Sequence, residues 1–454
     1  MLDRVIFLIY LPTQETTPAC QSARLLTDRL YKRSKPHGYL VDLFLERIEG
    51  FWFGGYLSAK PKLASPCPLC LCGEEFILNH SDRRMERMKI EKLARKGILD
   101  LVAYRPGKAI EDVQKEFRVK RWLKLASNEN LLGPSPKALK AIRKELRNIY
   151  LYPEGPCTAL RQALAKKFSL SAENVVVSNG ADNLILMLAG AFVDERDEVI
   201  IADPTFPVYT NTTLIMGGRP VKVRLKGFTL DLQGMLEKVN RRTKLIYICN
   251  PNNPTGTIVT RKALDAFLAK LPGHVVVVLD EAYGDFAEDP GYPNGLNYVK
   301  KGKPLIVLRT FSKVYGLGGL RIGYALGRKD LIGCLCQVRD PFPVHRLAQV
   351  AALAALDDRE HVQNSIQMVH DGRRHLYEEL NEMGLSYVPS QANFILIDFG
   401  KDSQEVFQAL LREGIIVRPG HIWNYPTSAR VTVGRVGDHR RLIKAVKKIL
   451  NNGN

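Results

Sequence analysis

The 454-residue sequence contains no apolar run that approaches the ~20 residues of a membrane-spanning helix. Its first apolar stretch, residues 5–11, is short and ends at Pro12. The segment that follows, Thr17-Pro18-Ala19-Cys20, is a poor match to a signal-peptide cleavage site or a lipidation site. These absences argue against membrane insertion and export, and they predict a cytoplasmic protein with no membrane partner.

Cysteine is scarce, with eight residues in the whole chain. A chain of this length does not need a disulfide framework, so we predict a reducing compartment. Cys67, Cys70 and Cys72 could supply half of a zinc site, with His80 nearby. A structural zinc ion normally needs four ligands, and no second cysteine pair follows at the usual spacing. We therefore predict no bound metal.

The sequence also has no block of like charge, although its formal net charge is +19. A positive excess that is spread along the chain favours anionic substrates and cofactors through electrostatic steering. No cluster of Lys and Arg with interleaved aromatic residues stands out, so we predict no nucleic-acid partner. We find no internal repeat and no low-complexity tract.

The chain changes character near residue 100. Before that point, apolar residues show no sustained period, so we predict that residues 1–102 are a poorly ordered extension or a mis-assigned start. The second hypothesis puts the true start at Met85 or Met88, just before a charged helix over residues 89–101. Three further segments are predicted: an N-terminal arm with part of a small domain (103–150), a large domain (151–330) and a C-terminal small domain (331–454).

Short runs rich in Val and Ile, each bounded by Gly, Pro, Asn or Asp, predict the strands of the large domain. They lie at residues 174–178, 198–203, 220–225, 244–249, 275–280, 305–309 and 321–326. Helical patterns separate several of them, at residues 181–192, 232–239 and 261–271. This alternation is typical of an α/β fold with a mainly parallel, seven-stranded sheet covered by helices on both faces.

After residue 330 the pattern differs. Helical stretches at 346–356, 363–382 and 403–413 are joined by strand-like runs at 393–398, 415–418 and 430–433, which predicts a smaller α+β domain.

Ligands of such sheets bind beyond the carboxyl ends of the strands, so polar residues at those ends are the first candidates. Gly180 follows one strand and begins a helix, whose free N–H groups could cradle a phosphate. Phe206 follows another strand and could stack on a planar ring, although on its own it is more often a core residue. Residues 250–256 read Asn-Pro-Asn-Asn-Pro-Thr-Gly. A turn explains the Pro and Gly there, but not the three amides.

Two ionisable residues at the strand ends, Asp280 and Lys313, are further candidate site residues. Asp280 ends a very apolar strand, and a buried carboxylate is costly unless it has a cationic partner such as a protonated pyridine nitrogen. Lys313 follows the next strand, and enclosure in a site would lower its pKa so that its amine could attack carbonyl groups.

Together these segments resemble the histidinol-phosphate aminotransferase family, class-II members of the fold-type I pyridoxal-phosphate (PLP) aminotransferases. The resemblance covers roughly residues 103–454. It rests on matching segments in the family's order: Tyr104-Arg105-Pro106-Gly107-Lys108, Leu125-Ala126-Ser127-Asn128-Glu129-Asn130, Leu132-Gly133-Pro134-Ser135-Pro136, Tyr152-Pro153-Glu154-Gly155, Asn252-Asn253-Pro254-Thr255-Gly256, Asp280-Glu281-Ala282-Tyr283 and Ser312-Lys313. It implies a large PLP-binding domain over 151–330.

The resemblance also implies a role for each matching position. Lys313 would form the Schiff base with PLP and shuttle the proton between the substrate and the cofactor, and Asp280 would pair with the pyridinium nitrogen. The remaining cofactor contacts it implies are Tyr283 and Asn253 at the ring 3-oxygen, Phe206 on the ring face, and Ala181, Asp182, Ser312 and Arg321 at the phosphate.

Further implied roles concern the substrate and a second subunit. Arg430 would bind the substrate α-carboxylate, since the arginine fork suits a carboxylate. Arg418 would bind the substrate's phosphate, and Asn130 is a further substrate-binding candidate. Tyr152 would reach across a homodimer interface to the neighbour's cofactor.

The sequence departs from the family at two places. Leu131 stands where the family has a proline, which makes that turn less rigid. Residues 155–157 read Gly-Pro-Cys, a local variation at the start of a helix. Neither change touches a predicted catalytic group.

The implied reaction is amino transfer between histidinol phosphate and 2-oxoglutarate. Aromatic amino-acid aminotransferases and threonine-phosphate decarboxylases share the PLP residues, so they stay open as alternatives. A regulator that joins a DNA-binding domain to an aminotransferase-like domain is a third alternative. Residues 1–102 do not clearly show the two short helices of a helix-turn-helix, and the complete catalytic set argues against this reading.

Overall fold

A computed structural model describes residues 121–451 and, ahead of them, residues 93–95, 98, 101 and 119. The hypotheses on a late start, on zinc at Cys67, Cys70 and Cys72, and on residues 104–108 lie outside the described residues. So does most of the predicted helix over 89–101.

The strands of the described residues fall into three sheets. In chain order they are β1 Leu123–Lys124, β2 Val175–Ser178, β3 Glu198–Asp203, β4 Arg219–Arg224, β5 Thr243–Cys249, β6 Val276–Asp280, β7 Leu305–Thr310, β8 Gly323–Gly327, β9 Tyr387–Val388, β10 Phe394–Asp398, β11 Ile415–Ile416, β12 Arg418–Pro419 and β13 Ser428–Thr432.

Helices connect and cover these strands. They are α1 Pro136–Glu145, α2 Thr158–Phe168, α3 Gly180–Phe192, α4 Val208–Ile215, α5 Leu232–Glu237, α6 Arg261–Lys270, α7 Gly295–Lys300, α8 Lys329–Gln337, α9 Arg346–Leu356, α10 Arg359–Glu382, α11 Ser403–Arg412 and α12 Val436–Asn451. Short 3₁₀ turns span Leu146–Asn148, Ala172–Asn174, Gly284–Phe286, Gly318–Leu320 and Gly420–Trp423.

The largest sheet has seven strands in the order β2-β8-β7-β6-β5-β3-β4. Neighbours from β7 to β4 are parallel, whereas β8 runs antiparallel to both β2 and β7. Since β2 and β7 each pair antiparallel with β8, β2 shares the direction of the parallel strands. The carboxyl ends of β2, β3, β5, β6 and β7 therefore meet at one edge.

Both faces of the inner strands of this sheet are buried, which explains their apolar runs, whereas the edge strand β4 is largely exposed. In β6, Val277 and Leu279 belong to one hydrophobic cluster. Val278, between them, belongs to a second cluster on the opposite face, together with buried residues of α3 and α8. Because successive side chains of a strand point to opposite faces, an all-apolar strand requires helices on both sides.

A second, four-stranded sheet is antiparallel and has the order β12-β13-β10-β9. Strands β1 and β11 form a separate, two-stranded parallel sheet. In the β10–β13 pair, Arg430 lies opposite Leu396.

All seven predicted strands of the large sheet are confirmed, with small shifts at their ends. One prediction in the later region is wrong: residues 415–418 are not a single strand. Ile415–Ile416 pairs with β1, whereas Arg418–Pro419 pairs with β13 in a different sheet. The partners of this run come from distant parts of the chain, so its local pattern could not reveal the division. The predicted domain limits stay predictions.

No helix among the described residues is both long and apolar enough to cross a membrane. Within the same residues, no group of three or more His, Cys, Asp or Glu side chains is arranged to hold a metal ion.

Candidate active site

A cavity of about 550 Å³ opens at the carboxyl edge of the large sheet. Side chains from the strand ends line one part of it, and residues 126–130, with Arg418 and Arg430, line another. The cavity brings together every predicted site residue except Tyr152. Its volume is within the range of small-molecule sites, about 300–1,000 Å³.

Lys313 follows β7 and extends toward the N-terminal segment. Its Nζ donates hydrogen bonds to the backbone oxygens of Ser127 (3.3 Å) and Asn128 (3.2 Å). Burial, and then the nearby charge of Arg430, lowers the pKa of Lys313 to about 8. A lysine with such a pKa is partly neutral near pH 7, and the neutral amine is the form that attacks carbonyl groups.

Asp280 lies at the end of β6 and is almost fully buried. Its two carboxylate oxygens accept hydrogen bonds from the Tyr209 hydroxyl (2.6 Å) and the Ala282 backbone N–H (3.0 Å). Burial raises the pKa of Asp280 to about 6, and these two hydrogen bonds oppose the shift. Both donors are neutral, so a cation that entered the cavity would favour the charged carboxylate.

The start of helix α3 and Arg321 form an anion-binding corner. Gly180 begins the helix with a φ of +81°, and a Cβ atom there would lie 2.8 Å from Nη2 of Arg321. Arg321 Nη2 is 3.3 Å from the Asp182 carboxylate, and its Nη1 is 3.5 Å from the Ser312 hydroxyl. Ala181 and Asp182, in the first turn of α3, line the cavity together with Ser312 and Arg321, and the first N–H groups of a helix are suited to bind a phosphate.

Three further side chains surround the centre of the cavity. Phe206 packs edge-on against Tyr209, with ring centroids 5.7 Å apart. Tyr283 is buried, and its ring lies 5.4 Å from the Lys313 amine. Asn253 is buried and accepts a hydrogen bond from Arg430 at 2.5 Å.

The structure explains the three amides of the loop after β5. Asn250 makes a reciprocal pair of hydrogen bonds with the backbone of Val259. Asn252 accepts a hydrogen bond from the Thr205 hydroxyl at 2.7 Å. These two amides brace the loop, and Asn253 is left to face the cavity.

Arg418 and Arg430 are direct cross-strand partners in the β12–β13 pair, and both line the cavity. Opposite residues of an antiparallel pair project from the same face, and like charges in that position are unfavourable. The Arg430 guanidinium also lies over the rings of Trp423 (5.1 Å) and Phe394 (5.3 Å). An anion between the two arginines would offset their repulsion, so this end of the cavity suits a negatively charged group.

Two predicted residues have surroundings that the sequence did not reveal. Asn130 lines the cavity, but its amide donates to Val314 O and Ser365 Oγ and accepts from Leu132 N. Tyr152 is 79% exposed and lies outside the cavity, where its ring stacks on Phe342 at 4.8 Å. Their roles toward substrate and cofactor stay predictions.

Tyr209 and Asn128 are candidate site residues that sequence reasoning missed. Tyr209 contacts Asp280 directly, and Asn128 donates a hydrogen bond from its amide to the Tyr283 hydroxyl at 3.0 Å. Tyr209 follows Phe206 by three residues at the start of a helix, a spacing that could have indicated a shared face. Asn128 belongs to one of the segments that carry the family resemblance. Its contact with Tyr283 could not be foreseen from the sequence, because the two residues are 155 positions apart.

Comparison with protein families decides which fold family this is. The family described as aminotransferase class I and II matches residues 120–449. The chain belongs to this family. This match confirms the predicted fold-type I α/β architecture. The relatives and solved structures described next confirm the predicted resemblance to histidinol-phosphate aminotransferases.

Individual members of the family are similar over most of their length. The histidinol-phosphate aminotransferase of Moorella thermoacetica is 48% identical over 357 residues, which are 78% of this chain and 92% of that protein. The one of Caldicellulosiruptor saccharolyticus is 44% identical over 78% of this chain and 99% of its own length.

Solved structures of aminotransferases are also similar to this chain. Histidinol-phosphate aminotransferase from Sinorhizobium meliloti, crystallised with pyridoxal-5'-phosphate, has a TM-score of 0.73 and 28% identity. The match covers 80% of this chain and 99% of that one. Aspartate aminotransferase from Thermus thermophilus with maleate has a TM-score of 0.67 and 25% identity, over 77% and 97% of the two chains.

Proposed function

We propose that this aminotransferase is a PLP-dependent histidinol-phosphate aminotransferase that transfers the amino group of histidinol phosphate to 2-oxoglutarate, or the reverse. The observation that carries the proposal is one cavity that holds a lysine amine, a buried carboxylate and a facing pair of arginines. Relatives of that name at 48% and 44% identity support it further.

The residues present fit PLP. Asp280 is a buried carboxylate with neutral donors and a raised pKa, so it suits a protonated pyridine nitrogen. Gly180, Arg321 and the first N–H groups of α3 suit a phosphate. Tyr283 and Asn253 also line the cavity and would hydrogen-bond the ring 3-oxygen, and Phe206 would stack on the ring face. Ala181, Asp182 and Ser312 complete the phosphate end.

The division of labour follows from these positions. Bound PLP supplies an electron sink and carries the amino group between the two substrates. The Nζ of Lys313 would hold PLP, and its amine would act as the base that moves the proton at the substrate's α-carbon. Its depressed pKa leaves the amine partly unprotonated near neutral pH, as a base must be.

Anionic groups of the substrates would bind Arg418 and Arg430. Histidinol phosphate carries a phosphate ester, and 2-oxoglutarate carries two carboxylates. Both compounds therefore suit two adjacent guanidinium groups, which bind such oxyanions through paired N–H donors. The net charge of +19 favours their approach.

The proposal includes a homodimer with Tyr152 at its interface. Exposed apolar side chains support it, since Ile149, Tyr150, Leu151 and Tyr152 are consecutive and Phe342 stacks on Tyr152. A contiguous apolar surface of this kind is typical of an isologous contact between two copies. A cytoplasmic location is also proposed, and the four described cysteines, which are free, fit a reducing compartment.

The test of the proposed function is a single-turnover spectrum of the holoenzyme with histidinol phosphate. We expect the cofactor band to convert to that of the amino form and to return on addition of 2-oxoglutarate. If phenylalanine drives the conversion and histidinol phosphate does not, the aromatic aminotransferase alternative is correct. Release of carbon dioxide from threonine phosphate would instead identify the decarboxylase.

Arg418→Ala tests the phosphate end of the substrate site. We expect the KM for histidinol phosphate to rise about 10- to 100-fold, because a hydrogen-bonded charge contributes about 1.5–3 kcal/mol. The KM for phenylalanine, which has no phosphate, should change much less. Arg412→Ala is the control, since it removes the same charge from an exposed position of α11. Equal losses for the two substrates would remove the phosphate role of Arg418.

A further inference from the structure

Asn128 occupies an unusual position in the segment that follows β1. Its side chain is only 1% exposed and lines the cavity, and its φ of +57° lies in the left-handed region. Asparagine is one of the few residues other than glycine that adopts this conformation readily. The backbone here turns the amide of Asn128 inward, toward groups that the sequence alone does not connect to it.

Thr432 fixes which way the Asn128 amide points. The backbone N–H of Asn128 donates to Thr432 Oγ1 at 3.0 Å, so the threonine hydrogen is available for another acceptor. That acceptor is Oδ1 of Asn128, 3.4 Å away. With its oxygen directed at Thr432, the amide presents its NH₂ group to the other neighbour, Tyr283.

The hydroxyl of Tyr283 accepts a hydrogen bond from Nδ2 of Asn128 at 3.0 Å. A hydroxyl that accepts there directs its own hydrogen elsewhere. The Tyr283 ring is held by an edge-on contact with Phe394, with centroids 4.9 Å apart, and the residue lines the cavity. Its hydrogen is therefore available to a group inside the cavity.

We propose that Asn128 is a positioning residue that keeps Tyr283 a hydrogen-bond donor toward the 3-oxygen of bound PLP. This inference rests on the proposed function, because it requires PLP in the cavity. Asn128 does not itself need to touch the cofactor. It acts through Tyr283, and the chain Asn128 N–H, Thr432 O–H, Asn128 amide and Tyr283 O–H sets the direction of each donor.

The same residue also aligns the amine. The backbone oxygen of Asn128 accepts from Lys313 Nζ at 3.2 Å and from Nδ2 of Asn393 at 3.1 Å. Asn128 thus contacts both the lysine that would attach the cofactor and the tyrosine that would bind its 3-oxygen. Asn128 can therefore fix the positions of the Lys313 amine and the Tyr283 hydroxyl relative to each other.

The expected consequence is a shift in how the bound cofactor titrates. A hydrogen bond donated to the 3-oxygen stabilises its negatively charged form, so it lowers the pH at which the chromophore loses its proton. Loss of that hydrogen bond should raise the midpoint. A hydrogen bond to a charged group is strong enough to move the midpoint by about one pH unit.

The experiment is a pH titration of the cofactor absorbance in the holoenzyme. Asn128→Gly is the main variant, because glycine tolerates the left-handed backbone and adds no charge. It is measured in the wild-type and in the Tyr283→Phe background. Asn424→Gly is the matched control, since Asn424 also has a positive φ (+60°) but is exposed and outside the cavity.

We expect Tyr283→Phe and Asn128→Gly each to raise the midpoint, and the double variant to match Tyr283→Phe alone. The control should leave the midpoint unchanged. If Asn128→Gly fails to bind PLP, Asn128→Asp decides, because its carboxylate would accept the tyrosine hydrogen and also raise the midpoint.

Two results would overturn the inference. If Tyr283→Phe raises the midpoint and the Asn128 variant does not, Asn128 does not act through Tyr283, and the proposed function is untouched. If Tyr283→Phe itself has no effect, the cofactor role of Tyr283 is wrong, and the role of Asn128 is wrong with it.

Discussion

Lys313→Ala is expected to reduce turnover below detection and to remove the absorbance of lysine-bound cofactor. Two functions of one amine are lost together: attachment of PLP and movement of the α-proton. General acid–base catalysis alone contributes about 10²- to 10⁴-fold to such rates. No neighbour can replace the amine, because the pKa of about 8 arises from burial and the adjacent charge of Arg430 at this one position.

The measurement combines an absorbance spectrum after removal of free PLP with an assay of amino transfer. Lys303→Ala is the control, since Lys303 is exposed and lies outside the cavity. If the Lys313→Ala enzyme still transfers amino groups at a comparable rate, Lys313 is not the base.

Much of this arrangement could be predicted because the large sheet is locally encoded. The strands Val276–Asp280 and Leu305–Thr310 are mostly apolar. Asp280 is the last residue of the first strand and Lys313 follows the second by three residues, and both line the cavity. Parallel strands bring their carboxyl ends to one edge, so Asp280 and Lys313 had to come close. A polar residue at the carboxyl end of a parallel strand can therefore be placed at the site from the sequence alone.

The other wall of the cavity could not be predicted in the same way. Arg418 and Arg430 face one another because of the register of β12 and β13, and Asn128 meets Tyr283 and Thr432 across long stretches of chain. Local periodicity contains no information about such pairings. The resemblance identified these positions, but only the three-dimensional contacts explain what the residues do for one another.

The contrast between the two walls has a chemical meaning. On the sheet edge, burial disfavours charge: it raises the pKa of Asp280 and lowers that of Lys313. On the opposite wall, two arginines are direct cross-strand partners. The sheet edge therefore suits the cofactor and its proton transfers, whereas the arginines suit the anionic ends of substrates.

Asp280→Asn is expected to leave PLP attached to Lys313 but to lower kcat roughly 10²- to 10⁴-fold. A buried ion pair that loses one partner costs about 3–5 kcal/mol, and here the lost partner would stabilise the protonated ring nitrogen. Asparagine has nearly the same shape, so the hydrogen bond from Tyr209 can persist while the charge is gone. The rate and the retained cofactor absorbance are measured together, with Asp194→Asn as the exposed control.

A cofactor methylated at the ring nitrogen separates this explanation from a structural one. Its positive charge is permanent, so it does not depend on a carboxylate to keep the nitrogen protonated. We expect it to restore part of the rate of the Asp280→Asn enzyme. If the variant matches the wild type with ordinary PLP, or if the methylated cofactor restores none of the lost rate, Asp280 does not act by holding the ring nitrogen in its charged form.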